Sequence, residues 1–289
     1  MNRESVNFFL DHLRTERRLS SHTLSAYSTD LDQFLAFIEP DSLPEIKAQQ
    51  IRNWLISLSD DTVQNRSINR KLATLRTFFK FLIRRGDIQT NPMGTIKMIK
   101  VSKKLPQFIR ESDMQGLWEA NPSDASTFED IRDQLILYLL YGTGIRLAEL
   151  ISLQKNHINL HLGTIRVLGK RNKERIIPIP QVIADWILRY QSLCPFEHTH
   201  LLLTDKGEKL YPMFVQRLVK KQLGNISTLE KLSPHVLRHT YATHLLNRGA
   251  DLNAIKELLG HANLAATQVY THNSMEKMKE VYQQAHPKA

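Results

Sequence analysis

Apolar residues recur every three to four positions through most of the first 86 residues, which predicts a helical unit over 1–86. Leu24, Tyr27, Leu31, Phe34, Leu35 and Ile38 form one stripe, and Ser20 or Ser21 ahead of it can cap that helix. Asp41 to Pro44 reads as a turn. A shorter helix around Ile51, Trp54, Leu55 and Leu58 follows, then a longer one carrying Ile68, Leu72, Leu75, Phe79 and Leu82 and stopping at Gly86. Asn91-Pro92-Met93-Gly94 breaks the periodicity. The basic, proline-interrupted stretch through Lys103-Lys104-Leu105-Pro106 completes a predicted interdomain linker over 87–107.

The pattern changes again over 108–289, the predicted second and larger domain. Helices are expected near Ser112–Glu119 and Asp130–Tyr141, with Gly142-Thr143-Gly144 turning into a helix that holds Arg146, Glu149 and Leu150. Thr164–Leu168 and Arg175–Ile179 are β-rich runs flanking Gly169-Lys170-Arg171-Asn172-Lys173, a hairpin with a basic tip. The remainder reads as helical. The expected fold class is therefore mainly α: a helical first domain and an α+β second domain with one small hairpin or sheet.

Charge narrows the possible partners. The formal net charge is +10 and the sequence pI is about 9.6, an excess that suits a polyanion such as nucleic acid or an acidic membrane surface, or simply a basic soluble protein. Between Thr62 and Arg110 a single acidic residue, Asp87, stands against twelve lysines and arginines. Arg66, Arg70, Arg76, Lys80 and Arg84 lie largely off the apolar stripe of their helix. They form either a solvated face or a phosphate-facing one, and the scarcity of acids favours the second. Cys194 is the only cysteine, so neither an internal disulfide nor a cysteine-rich zinc site is available. With no apolar leader and no span of transmembrane length, the expected location is cytoplasmic, away from membranes.

Candidate chemistry gathers in the second domain. Ser233-Pro234 marks a helix start and puts His235 and Arg238 on one face of the first turn, where free N–H groups favour a phosphate. The pair can equally be a capping histidine and a surface cation; His239 and His244 read as packing or surface residues. Arg146 follows two glycines at another helix start, and Glu149 can orient its guanidinium or form an ordinary ion pair with it. Asp251 caps a helix on Leu252, Ile255, Leu258 and Leu259, closed by Gly260, with His261 next and Tyr270 nine residues on. Taken alone, Tyr270 would be a half-buried core aromatic.

Together, Thr143-Gly144-Ile145-Arg146, Gly169-Lys170, His235-x-x-Arg238-His239, Leu258-Leu259-Gly260-His261 and Tyr270 resemble the signature of the tyrosine recombinase (phage integrase) family. The stretches LSPHVLRHTYATHLLNRGADLNAIKELLGHANLAATQVYTH and GKRNKERIIPIP resemble its Xer branch (the XerC and XerD type), and the first 86 residues resemble its SAM-like core-binding domain. The resemblance implies that Tyr270 attacks a DNA phosphorus, leaving a 3′-phosphotyrosyl enzyme and a free 5′-hydroxyl. It makes His235 the proton acceptor, Arg146 and Arg238 the clamp on the non-bridging oxygens, His261 a further hydrogen-bond donor, and Lys170 the acid for the departing oxygen. No cofactor, metal or ATP is expected, because arginines supply the positive charge and the phosphotyrosine ester retains the bond energy. DNA-facing cations would be Arg66, Arg70, Arg76, Lys80, Arg84, Lys103, Lys104, Arg171 and Lys173. One departure is Arg171, where this branch commonly has glycine, which leaves the tip geometry open.

The resemblance also implies partners: a double-stranded DNA recombination site, a homo- or hetero-tetramer that can include a second Xer-type recombinase, and a septal DNA translocase, all in chromosome-dimer resolution at cell division. The segment Met275 to Gln284 would pack either on its own domain or, as in the family, on a neighbouring protomer. Competing readings are an integrase or transposase of a mobile element, a type IB topoisomerase, a DNA-binding relative without chemistry, and a metal hydrolase. The last is the least favoured of these readings.

Overall fold

The computed structural model describes residues 2–39, 46–101, 107–118, 121–124, 127–169 and 174–260. Contacts divide the chain into two compact units, Met1–Lys104 and Leu105–Ala289. In the described residues no helix is long and apolar enough to cross a membrane.

Among the described residues the first unit contains four helices: α1 (Asn2–Thr15), α2 (Ser21–Ile38), α3 (Ala48–Asp60) and α4 (Asn65–Arg85). Ser20 caps α2 by accepting from the Thr23 N–H, and Gly86 ends α4 in the left-handed region, both as the sequence predicts. α4 touches the other three helices, and its buried Ile68, Leu72, Leu75, Phe78 and Phe79 meet Phe9, Phe34 and Trp54. The predicted turn at Asp41 to Pro44 lies outside the described residues.

The first domain does not end where the helical periodicity does. Residues 87–101, read from the sequence as the start of a linker, pack on this unit and bury Ile88, Met93 and Ile96 in its core. The extended chain meets its backbone hydrogen-bonding needs through side chains of α4. Asn69 bonds both the N–H and the C=O of Ile99, and Arg76 donates to the Ile96 carbonyl.

The second unit contains α5 (Glu111–Trp118), a 3₁₀ turn at Pro122–Asp124, α6 (Phe128–Thr143), α7 (Leu147–Ile151), a 3₁₀ turn at Lys155–His157, β1 (Ile158–Asn159), β2 (Thr164–Leu168), β3 (Glu174–Pro178), α8 (Gln181–Leu193), α9 (Pro212–Gly224), α10 (Pro234–Asn247) and α11 (Leu252–Leu259). α6 is the central post: every residue from Leu135 to Thr143 is buried, and the helix packs against α7, α8, α9 and α10. The sheet is antiparallel in the order β1-β2-β3, with Val167 opposite Arg175 and Leu168 opposite Glu174. The expectation that everything after the hairpin is helical fails over 194–211. There the chain runs without a helix and forms isolated bridges from His200 to Gln154 and from Leu203 to Lys209.

Candidate active site

Two glycines at helix ends allow the site to form. α6 ends at Thr143 and Gly144 turns the chain at φ +59°; a Cβ there would lie 2.5 Å from the Tyr241 ring and 2.8 Å from Leu259. Arg146 follows as the N-cap of α7, just outside the helix in which the sequence reading placed it. Its own N–H donates to Glu149 Oε2 at 2.8 Å, so Glu149 closes the first turn from its third position. α11 is capped by Asp251, which accepts from the Asn253 and Ala254 N–H groups, and stops at Gly260, φ +66°.

The C-terminal carbonyls of α11 are the meeting point. Arg175 Nε donates to Leu258 O at 2.9 Å, Arg238 Nη2 donates to Leu259 O, and Arg146 Nη2 donates to Gly260 O at 3.0 Å. Three successive carbonyls at the negative end of one helix thus hold three arginines, each from a different element: β3, α10 and the start of α7. Arg238 also donates through Nη1 to the Gly144 carbonyl.

Glu149 ties the group together. Its Oε1 accepts from Arg146 Nη1 at 2.8 Å and from Arg175 Nη1 at 2.7 Å, while Oε2 accepts from Arg175 Nη2 at 2.8 Å. Burial alone would raise its pKa; hydrogen bonds and charge from Arg175, then the bonds from Arg146, outweigh burial and hold it below the ordinary carboxylate value. Burial, followed by the charges of Arg146 and Arg175, pushes Arg238 down to about 10, which leaves it a cation at neutral pH. Three guanidinium groups against one carboxylate give the cluster a net excess of two positive charges. That surplus suits a bound phosphate.

The structure therefore brings Arg146 and Arg238 together, from positions 92 residues apart in the chain. His235 is exposed on the first turn of α10, one turn before Arg238; Ser233 occupies the cap position, but its side chain makes no capping hydrogen bond. His244 is a core residue, and His239 is half-buried. Lys170, Arg171, Lys173, His261, Tyr270, Lys103, Lys104 and the segment Met275 to Gln284 lie outside the described residues.

Among the basic residues of α4, Arg66, Arg70, Lys80, Arg84 and Arg85 are exposed. Arg70 pairs with the fully buried Asp30 and Arg76 holds Ile96, so these two carry structural duties within their own unit. Sequence reasoning missed Arg175 altogether. The signal was present: in β3 it alternates in phase with the buried Ile177, and a charge on the core phase of a strand needs a buried partner.

The profile of the phage integrase family matches residues 107–277, and that of the phage integrase N-terminal SAM-like domain matches residues 6–86. The chain belongs to the phage integrase family, the tyrosine recombinases. Curated relatives agree along nearly the whole length. The tyrosine recombinase XerC of Thermodesulfovibrio yellowstonii is 39% identical, covering 98% of this chain and 96% of its own. That of Staphylococcus aureus strain JH9 is 37% identical, covering 97% and 96%. A crystal structure of the XerH site-specific recombinase bound to a palindromic difH substrate, a post-cleavage complex, is similar with a TM-score of 0.69 at 22% identity. It covers 91% of this chain and 80% of its own, and at that identity it shows a shared fold. In this family setting, a bundle of SAM-like type precedes a mainly helical domain with a small antiparallel sheet.

Proposed function

We propose that this tyrosine recombinase is a site-specific DNA recombinase using Tyr270 as nucleophile, and that it resolves chromosome dimers. One strand is cut when the phenolic oxygen attacks a backbone phosphorus; the 3′ phosphate becomes esterified to Tyr270 and the 5′ oxygen leaves as a hydroxyl. Rejoining is the reverse displacement by another 5′-hydroxyl, so one ester is exchanged for another and no ATP is consumed. The observation that carries this reading is the convergence of Arg146 and Arg238 on adjacent carbonyls, immediately before the segment that bears His261 and Tyr270.

The chemistry follows from the groups. A phenol of pKa about 10 is mostly protonated at neutral pH and needs a base, the role assigned to His235. Negative charge builds on the non-bridging oxygens as phosphorus becomes five-coordinate, and Arg146 and Arg238 stabilise it; loss of either costs on the order of 100-fold in rate. His261 adds a hydrogen bond, and Lys170 protonates the departing oxygen. Arg66, Lys80 and Arg84 on α4, with Lys103, Lys104, Arg171 and Lys173, meet phosphates along the duplex. Four protomers, of this chain alone or with a second recombinase, would act on two DNA sites, coupled through the segment after Met275. The XerC name of the relatives at 37–39% identity supports the dimer-resolution role and, with it, a septal DNA translocase as a partner.

The test is to incubate the protein with nicked, fragmented genomic DNA of its own organism in chelator and to resolve covalent adducts on a denaturing gel. Wild type should yield an adduct and Tyr270→Phe none, with DNA binding retained. Survival of the adduct in Tyr270→Phe, or a requirement for divalent metal, refutes the scheme. Sequencing the captured DNA then identifies the recombination site.

A further inference from the structure

We propose that Arg175 is a positioning residue for the recombination chemistry: it fixes Glu149 and the end of α11, and through them presents the Arg146 and Arg238 guanidinium groups to the scissile phosphate. This rests on the function proposed above.

Arg175 cannot itself grip the phosphate. Its relative exposure is 4%, and its three nitrogens are engaged: Nε on Leu258 O, Nη1 and Nη2 as a fork on the two oxygens of Glu149. A planar fork matched to a carboxylate leaves that carboxylate one orientation. Glu149 is the group on which Arg146 depends, since it accepts from both the Arg146 N–H and the Arg146 side chain. Arg175 thus sets Arg146 at second hand. Its grip on Leu258 O fixes the first of three consecutive carbonyls, and the next two carry Arg238 and Arg146.

The approach is close. A Cβ on Gly260 would sit 3.2 Å from Arg175 Cδ and 3.3 Å from Nη1, so α11 ends against the Arg175 side chain itself. Arg175 lies on β3, which pairs antiparallel with β2, and Lys170 falls between these two strands in the sequence. One side chain therefore links the hairpin strand, the start of α7 and the residues that precede His261. A buried ion pair adds little net stability, so the consequence of this one lies in geometry. Displacements of about 1 Å in clamp residues cost up to about 100-fold in rate.

Arg175→Lys keeps the charge and removes the fork. Using the nicked duplex captured as above, at saturating protein, we expect duplex affinity within about threefold of wild type and adduct formation slowed about 10- to 100-fold. Glu149→Gln should slow it comparably, and adding Arg175→Lys to that background should cost no more than about threefold further, because both act through one contact. A wild-type rate in Arg175→Lys, or full additivity with Glu149→Gln, overturns the proposal. Should Arg175→Lys not fold, Arg175→Met with Glu149→Leu replaces the pair by apolar groups. That variant is expected to fold and to cleave slowly, and a wild-type rate in it is equally fatal. If wild type itself forms no adduct, the phosphotyrosyl reading fails, and hydrogen exchange judges Arg175 on its own. Arg175→Lys should accelerate exchange at the amides of Ile255 to Gly260, and unchanged exchange there overturns the positioning role.

Discussion

Gly144 sits where three demands coincide. It must adopt φ +59°, it must give Tyr241 and Leu259 room, and its carbonyl must face Arg238. A methyl group would place a Cβ 2.5 Å from the Tyr241 ring, which is itself fully packed in the core. The left-handed backbone costs an L-residue about 1–2 kcal/mol and overpacking about 1–3 kcal/mol. Gly144→Ala is therefore expected to lose roughly 2–5 kcal/mol in the second unit, read by denaturant unfolding. It should also slow adduct formation, because the Gly144 carbonyl is one of the two that orient Arg238. Glu149 shows the same economy: one carboxylate serves a backbone N–H and two guanidinium groups.

Among elements, α10 does two jobs on two sides. Its first turn brings Arg238 to the Gly144 and Leu259 carbonyls, while its last turns lock the start of the second unit. His244 Nε2 meets the Ile109 carbonyl at 2.9 Å and Nδ1 meets the Tyr141 hydroxyl at 2.7 Å. A carbonyl only accepts, so the neutral ring carries its proton on Nε2 and accepts at Nδ1. Burial lowers the His244 pKa below 6.5, against smaller raising effects of Glu111 and the Ile109 carbonyl. The sign follows: the folded state holds the neutral ring, so the unfolded chain takes up the proton first as pH falls. The stability His244 contributes is complete above 6.5 and declines as pH drops below it toward the folded-state value. His244→Leu is expected to cost about 1–3 kcal/mol at pH 8. The gap from wild type should narrow on going to about pH 5, measured by chemical denaturation across pH.

At the scale of the molecule, two separate hydrophobic cores hold the chain, one under α4 and one around α6. The first contains a charged group at its centre. Asp30 is fully buried and accepts from Arg70 at 2.8 Å, Lys71 at 3.2 Å and Thr74 at 2.8 Å. Removing one side of a buried pair costs about 3–5 kcal/mol. Arg70 is 49% exposed and Lys71 keeps Gln33, so we expect the lower end, about 3 kcal/mol, for Asp30→Ala. Because the cores are distinct, hydrogen exchange should quicken in α2 and α4 and stay unchanged in α6 and α8. Acceleration in both units would mean that they unfold together.

Much of the fold was legible in the chain, and the reason is local. The stripe on α2, the Ser20 and Asp251 caps, the Gly86 and Gly260 stops and the β2–β3 hairpin depend on neighbours within a few residues, which a one-dimensional reading contains. The same reading selected Arg146 and Arg238, through motifs the family shares. What it could not supply was partnership across distance. Residues 87–101 look like a linker because nothing local orders them; Asn69 and Arg76 of α4 do so. Arg70 and Arg84 look alike in sequence and both are exposed, yet Arg70 also pairs with the buried Asp30. Arg175 read as one more strand residue until folding set it between Glu149 and Leu258, 26 and 83 residues away. Desolvation gives such contacts their strength, and burial is decided only when the elements pack.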